Sequence, residues 1–429
     1  MFSRTTLVSA ASSLALFCLV GADQAVAQST AADPEQPAAQ PAATGSLDDA
    51  LAMSVESHPS IIAARVRARA AGVDLSAARW ARLPSVTVEG HVLDKQGTLP
   101  VAQLVVDQPL FDGGRIGGMI GRARFARDAA LAGYDETRQI VILAVIDAWL
   151  EEYRLRFRTE LLADSARRHD DMVESMRRRV DHGISPLADL ELARTRALQV
   201  EQQRLASAAQ ERTALRRLRE LVGDPAYLPS PKIALPAAWP EFDDEAVIAL
   251  AAQRDPRLRR IASEAAAAGA EARVARAQVW PQVSGQYTYN DVQGHRFGFV
   301  VKAQAEGGIG RIEAARAADL REQATAFQIA ATRREFNETI AAEVQTYTAS
   351  KARLVAGGEA ANTAERVMES YMRQFASGRR GWLDVMNAVR EASAADLDAL
   401  DARVSALDAL LHLNIRTGDG TVVAGQSTQ

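Results

Sequence analysis

The residues able to do chemistry are few and scattered. Two acidic pairs, Glu151-Glu152 and Asp170-Asp171, lie in stretches with long helical pattern and read as solvated faces or packing salt bridges. The six histidines, His58, His91, His169, His182, His295 and His412, show no metal-ligand spacing, so no metal and no other cofactor is expected. The glycine-rich stretches "QPLFDGGRIGG" (108–118) and "EGGIGR" (306–311) lack the Gly-Lys-Ser/Thr that a phosphate-binding loop needs. With neither a paired acid and base nor a nucleophile constellation, an enzyme, including one acting on the cell wall, has nothing to rest on. The formal charge of −4 gives no strong field for nucleic acid.

What these residues lack in chemistry the surrounding elements supply in architecture. Arg4, the apolar stretch from Leu7 to Val20 and the small-residue exit Ala25-Val26-Ala27 predict a secretory signal over 1–27, cleaved before Gln28. The sole cysteine, Cys18, falls inside it, and bulky Phe17 argues against a lipoprotein signal. Residues 28–45 read as a disordered Pro/Ala-rich leader and 419–429 as a disordered tail. No later apolar run is long enough to cross a bilayer as a helix; "IVILAVIDAWL" comes nearest and Asp147 interrupts it. A membrane crossing would therefore have to be made by strands.

The chain is one unit used twice. An offset of 197 pairs Pro59 with Pro256, Gly72 with Gly269 and Pro84 with Pro281. An offset of 195 pairs Gly183 with Gly378, Asp189 with Asp384 and Gly223-Asp224 with Gly418-Asp419. The repeats are expected at 46–222 and 244–418, joined by a Pro-rich linker over 223–243.

Each unit predicts a short helix capped by Ser46 or its counterpart, a second helix, two strands, a very long helix and a returning helix. The strands, expected at about 84–112 and 281–306, alternate: Val283, Tyr287, Tyr289, Phe297, Phe299 and Val301 on one face, Gln282, Ser284, Gln286, Thr288 and Lys302 on the other. The long helices, proline-free over dozens of residues, suit an extended helical body. Between strand and helix a sharp bend is expected, with Pro109 ending the ladder, Phe111 plugging the seam and Gly113-Gly114 turning; Gly307, Gly308 and Gly310 do the same in the second unit.

On "QPLFDGGR", the openers "SHPSI" and "RDPRL", and the tips "GISPLADL" and "GRRGWLDV", the chain resembles the TolC-like outer-membrane efflux family over roughly residues 46–418. The resemblance implies an α+β fold, with long helical hairpins forming a periplasmic tunnel and four transmembrane strands per chain closed as a trimeric 12-stranded barrel. Strand arithmetic agrees: four strands are too few to close, and three copies supply a water-filled bore. It also implies a homotrimer in outer-membrane lipid, docked by a periplasmic adaptor and an inner-membrane ABC or proton-driven pump. The family's gate maps onto Asp384 as a selective ring and Arg380 as a network arginine. Asn387 stands where a second aspartate can occur, and Phe375 where a network tyrosine stands. Gly183, Asp189, Gly378 and Trp382 are expected at adaptor-contacting tips, although Asp189 also suits a helix cap and Trp382 packing within the hairpin. "GRRGWLDVMNAVRE" points to type I protein secretion of adhesin- or toxin-like cargo, with multidrug efflux as the alternative. A periplasmic coiled-coil adaptor is the rival of another class, but no lipoyl-like domain is apparent.

Overall fold

The computed structural model describes residues 44–91, 101–233, 235–236, 238–290, 294–303 and 310–418. In chain order its elements are β1 (Thr44–Gly45), α1 (Leu47–Ser57), α2 (Pro59–Trp80), β2 (Ser85–His91), β3 (Val101–Phe111), α3 (Arg115–Asp181) and α4 (Leu187–Val222). Then follow β4 (Leu228–Pro229), α5 (Asp244–Arg254), α6 (Pro256–Ala277), β5 (Gln282–Asn290), β6 (Gly294–Lys302), α7 (Gly310–Ala376) and α8 (Trp382–Thr417). The helices match one for one in length between the two halves: 11, 22, 67 and 36 residues in each.

Local chemistry sets the starts of these helices. Ser46 caps α1 through a capping box with Asp49, whose carboxylate accepts the Ser46 amide at 2.8 Å. Asp243 caps α5 by accepting the amide of Ala246 at 2.9 Å. Pro59 and Pro256 occupy the first positions of α2 and α6, where a missing N–H costs nothing. Thr44 and Gly45, inside the segment expected to be leader, are structured: β1 pairs in parallel with β4, and the Tyr227 hydroxyl donates to the carbonyls of Gly45 and Ser46 at 3.1 and 2.9 Å. The signal segment 1–27, the remainder of the leader, the tail 419–429 and the glycines Gly307 and Gly308 lie outside the described residues.

The expected closed barrel is overturned. The four longer strands form an open antiparallel sheet in the order β2-β3-β5-β6, with β2 and β6 at its two edges. Four strands cannot curl far enough for the first to pair with the last. The two strand pairs join through β3 and β5, with Leu104 opposite Tyr289 and Val106 opposite Tyr287. Alternation sorts the faces as the pattern requires, and Phe297, Phe299, Val86 and Val88 are strongly exposed on the apolar one. Among the described residues no helix is long and apolar enough to cross a membrane.

Three apolar clusters hold the helices. The largest surrounds Trp149, Ile146, Leu150 and Tyr153 at the middle of α3, packed by Ile61 of α2, Leu218 of α4, Tyr227, and Leu407 and Leu411 of α8. A second joins Phe336, Ile340 and Tyr347 of α7 to Val247 of α5 and Leu410 and Leu413 of α8. The third lies at the far end of the hairpins, around Met172, Met176, Leu190, Met368, Trp382 and Val389. Long stretches between these clusters carry small residues and ion pairs, which suits helices that pack side by side rather than around one core.

Candidate functional site: the hairpin tips and the strand-to-helix bend

Both tips are built alike. After α3 the amide of Gly183 donates to the Val180 carbonyl at 2.9 Å and that of Ile184 to the Arg179 carbonyl at 2.8 Å; after α7, Gly378 and Arg379 repeat this with Phe375 and Gln374, both at 2.9 Å. These are Schellman turns, and they need a left-handed residue, which Gly183 (φ 71°) and Gly378 (φ 74°) supply. The return helices then start from extended residues, Pro186 before α4 and Gly381 before α8, neither making a side-chain cap. Asp189 and Asp384 each sit in the first turn, favourable for an acid at the positive end of the helix dipole. The N-cap position of α4, Pro186, offers no side-chain hydrogen bond.

The second tip carries the denser polar chemistry. The Arg380 guanidinium lies over the Tyr371 ring at 4.1 Å, donates to Gln374 Oε1 at 3.3 Å and reaches Asp384 Oδ2 at 3.4 Å. Asp384 is half exposed and Asn387 lies exposed one turn on. Phe375 stacks under the Arg179 guanidinium of the first hairpin at 4.9 Å and meets the Trp382 ring at 6.3 Å. Trp382 is buried, so it braces the tip from behind. Beside it a cavity of about 340 Å³ opens between Met172, Arg178, Arg179, Phe375, Trp382 and Val385. Pairing of Arg380 with Asp384, and the stacking of Arg380 on Tyr371, were not apparent from sequence: the first needs a side-chain geometry, and Tyr371 lies across the glycine turn.

At the strand-to-helix bend the structure differs from the expected end of the ladder at Pro109. β3 continues to Phe111, with a bulge between Pro109 (opposite Ser284) and Phe111 (opposite Val283). Proline cannot donate to the ladder, and the bulge lets the strand pass it. Phe111 is half exposed. Gly113 and Gly114 turn with φ of 63° and 90°; a Cβ on Gly113 would stand 2.9 Å from Trp280 Cβ. Asp112 then caps α3, its carboxylate accepting the amides of Gly114 at 2.9 Å and Ile116 at 2.5 Å. Its place just before a helix start was the available signal. Gly310 is the first residue of α7.

Two further groups escaped the sequence reading. Glu152 is not a solvated face: it is buried, one carboxylate oxygen has no partner, and Arg156, 3.7 Å away, is occupied by the carbonyls of Pro229 and Ser230. Burial first, partly offset by Arg156 and reinforced by Glu211, pushes its carboxyl up to about 7. His412 meets Asp408, one turn away on α8, at 3.6 Å and Asp147, distant in sequence, at 2.7 Å.

The arrangement is two very long helical hairpins sharing one four-stranded sheet, with no catalytic constellation among the described residues. Residues 50–224 match the family model "Outer membrane efflux protein". The outer membrane protein OprJ of Pseudomonas aeruginosa is 30% identical over 144 residues, a stretch covering 30% of this chain and 29% of OprJ's own length. VceC, an outer membrane protein of Vibrio cholerae, superposes with a TM-score of 0.76 at 18% identity, over 87% of this chain and 96% of VceC. The outer membrane channel MtrE of Neisseria gonorrhoeae, in its open state, gives 0.71 at 16% identity, over 87% and 88%. Residues 50–224 thus resemble outer membrane efflux proteins, and the chain shares the fold of these solved outer-membrane proteins.

Proposed function

We propose that the protein is an outer-membrane exit channel of a tripartite export system, passing cargo from the periplasm or an inner-membrane pump to the exterior. The observation that carries this reading is the doubled 67-residue helix set on one sheet whose apolar face is exposed. The sheet lies in outer-membrane lipid, and each long helix extends about 100 Å into the periplasm at 1.5 Å per residue. The working form is a homotrimer. Tyr287, Tyr289, Phe297 and Phe299 sit on the apolar sheet face as interface aromatics.

The tips meet a periplasmic adaptor through the turns at Gly183 and Gly378 and the first-turn Asp189, with Trp382 supporting them. Asp384 and Arg380 form the periplasmic gate, flanked by Asn387 and Phe375. The strand-to-helix bend at Pro109, Phe111, Gly113 and Gly114, with Gly307, Gly308 and Gly310 in the second unit, aims the tunnel along the pore. Efflux, the word in the matching family's description, is one reading, powered by an ABC or proton-driven pump. Type I protein secretion is the second reading, supported by the tip sequence "GRRGWLDVMNAVRE". Deleting the protein from its host and measuring dye accumulation beside the secreted proteome separates them. Efflux predicts dye retention with an unchanged secretome, and loss of one large secreted protein with normal dye efflux supports secretion. A deletion strain altered in neither respect contradicts an export role.

A further inference from the structure

We propose that Asp147, Asp408 and His412 form a binding site for a divalent transition-metal ion, with Zn²⁺ the best match, that clamps α3 to α8. Their ligand atoms, one from each residue, all lie within 4.8 Å of one another, the single such grouping among the described residues. Asp408 and His412 stand one turn apart on α8 and face Asp147 at the middle of α3. One imidazole nitrogen and two carboxylates are a borderline donor set that suits Zn²⁺, with the fourth position left to water. Tetrahedral ligands bound at about 2.0–2.1 Å stand about 3.4 Å from one another. The His412–Asp147 pair at 2.7 Å must open slightly and the two carboxylates draw together, and half-exposed Asp147 is free to make that movement.

The charge around the site asks for a cation. Two carboxylates meet one imidazole, and the nearest further acid, Glu343, is already bound to Arg416 at 2.7 Å, which keeps that guanidinium from the site. Packing does not require the cluster: at the matching offset of 195 the other half of the chain has Thr213 and Arg217 on α4 and Ala342 on α7. The trio is a departure from the repeat, placed where a metal would tie one hairpin to the other.

The test uses the untagged mature protein in detergent, stripped with EDTA and titrated calorimetrically with ZnCl₂ alone. One Zn²⁺ per chain is expected, with a raised thermal midpoint and no competition from excess Mg²⁺. His412→Ala and Asp147→Asn should each weaken binding at least tenfold, while His58→Ala leaves it unchanged. Circular dichroism checks folding, and Asp147→Asn, on a half-exposed carboxylate, keeps the test open if His412→Ala misfolds. Absence of saturable Zn²⁺ binding by the parent, or parental binding by both variants, overturns the site. Because binding is read without conduction, this result is independent of the channel reading.

Discussion

Glu152 is a carboxyl whose buried surroundings oppose its charge. A carboxyl that titrates near 7 in the folded chain and near 4.5 when unfolded retains its proton only in the folded state between those values. Its contribution to stability is therefore greatest below about pH 4.5 and falls as pH rises toward 7. Glu152→Gln should leave the thermal midpoint at pH 4.5 nearly unchanged and raise it at pH 8. The gain at pH 8 should be about 1–3 kcal/mol, because each pH step separating the folded from the unfolded titration is worth about 1.36 kcal/mol. Equal effects at both pH values would show that the carboxyl is solvated after all. Gly113 is constrained for two reasons, a left-handed φ and the wall of Trp280 behind it. Gly113→Ala should cost about 1–3 kcal/mol, read as a lowered midpoint of thermal unfolding in detergent. The same change at Gly72, with open space around its missing Cβ and an ordinary helical backbone, should be neutral or stabilising.

At the scale of elements, local signals were legible and distant ones were not. Ser46 with Asp49, and the prolines at 59 and 256, mark helix starts because a cap is decided within four residues. The repeat offset forecasts helices of equal length because two copies of one pattern obey the same periodicity. Asp112 was less visible, since its role depends on Gly113 and Gly114 folding its carboxylate onto the amides of α3. Asp112→Ala should destabilise that helix start by about 0.5–2 kcal/mol, with faster amide exchange at Gly114 and Ile116 while the tip amides stay unchanged. Uniform protection in the variant would mean that the cap is carried elsewhere. The pairings of His412 with Asp147 and Arg179 with Phe375 join residues whose helices become neighbours only once both hairpins are packed. Helical period tells which side of a helix is apolar, but not which helix covers it. Closure of the sheet was misjudged for a related reason: strand alternation fixes the faces and says nothing of what pairs with the two edges.

For the whole molecule the central claim is that the protein conducts through an opening guarded by the second tip. Arg380 and Asp384 hold each other there, so the carboxylate is partly neutralised and the tip is fastened by the same contact. Asn387, uncharged and one turn on, leaves Asp384 as the sole acid of that pair of positions. Arg380→Ala should release the fastening and raise resting conductance, and it should also expose the Asp384 charge and increase cation preference. Asp384→Asn should reduce that preference, most clearly at low salt where screening is weakest. Asp189→Asn, in the first turn of α4, should alter selectivity little. The decisive measurement is the reversal potential of the purified protein in planar bilayers under a salt gradient, for parent, Asp384→Asn and Arg380→Ala. A cation-selective channel that loses its preference in Asp384→Asn and gains conductance in Arg380→Ala is the predicted result; a protein that inserts without conducting, or a reversal potential unmoved by Asp384→Asn at low salt, would contradict it.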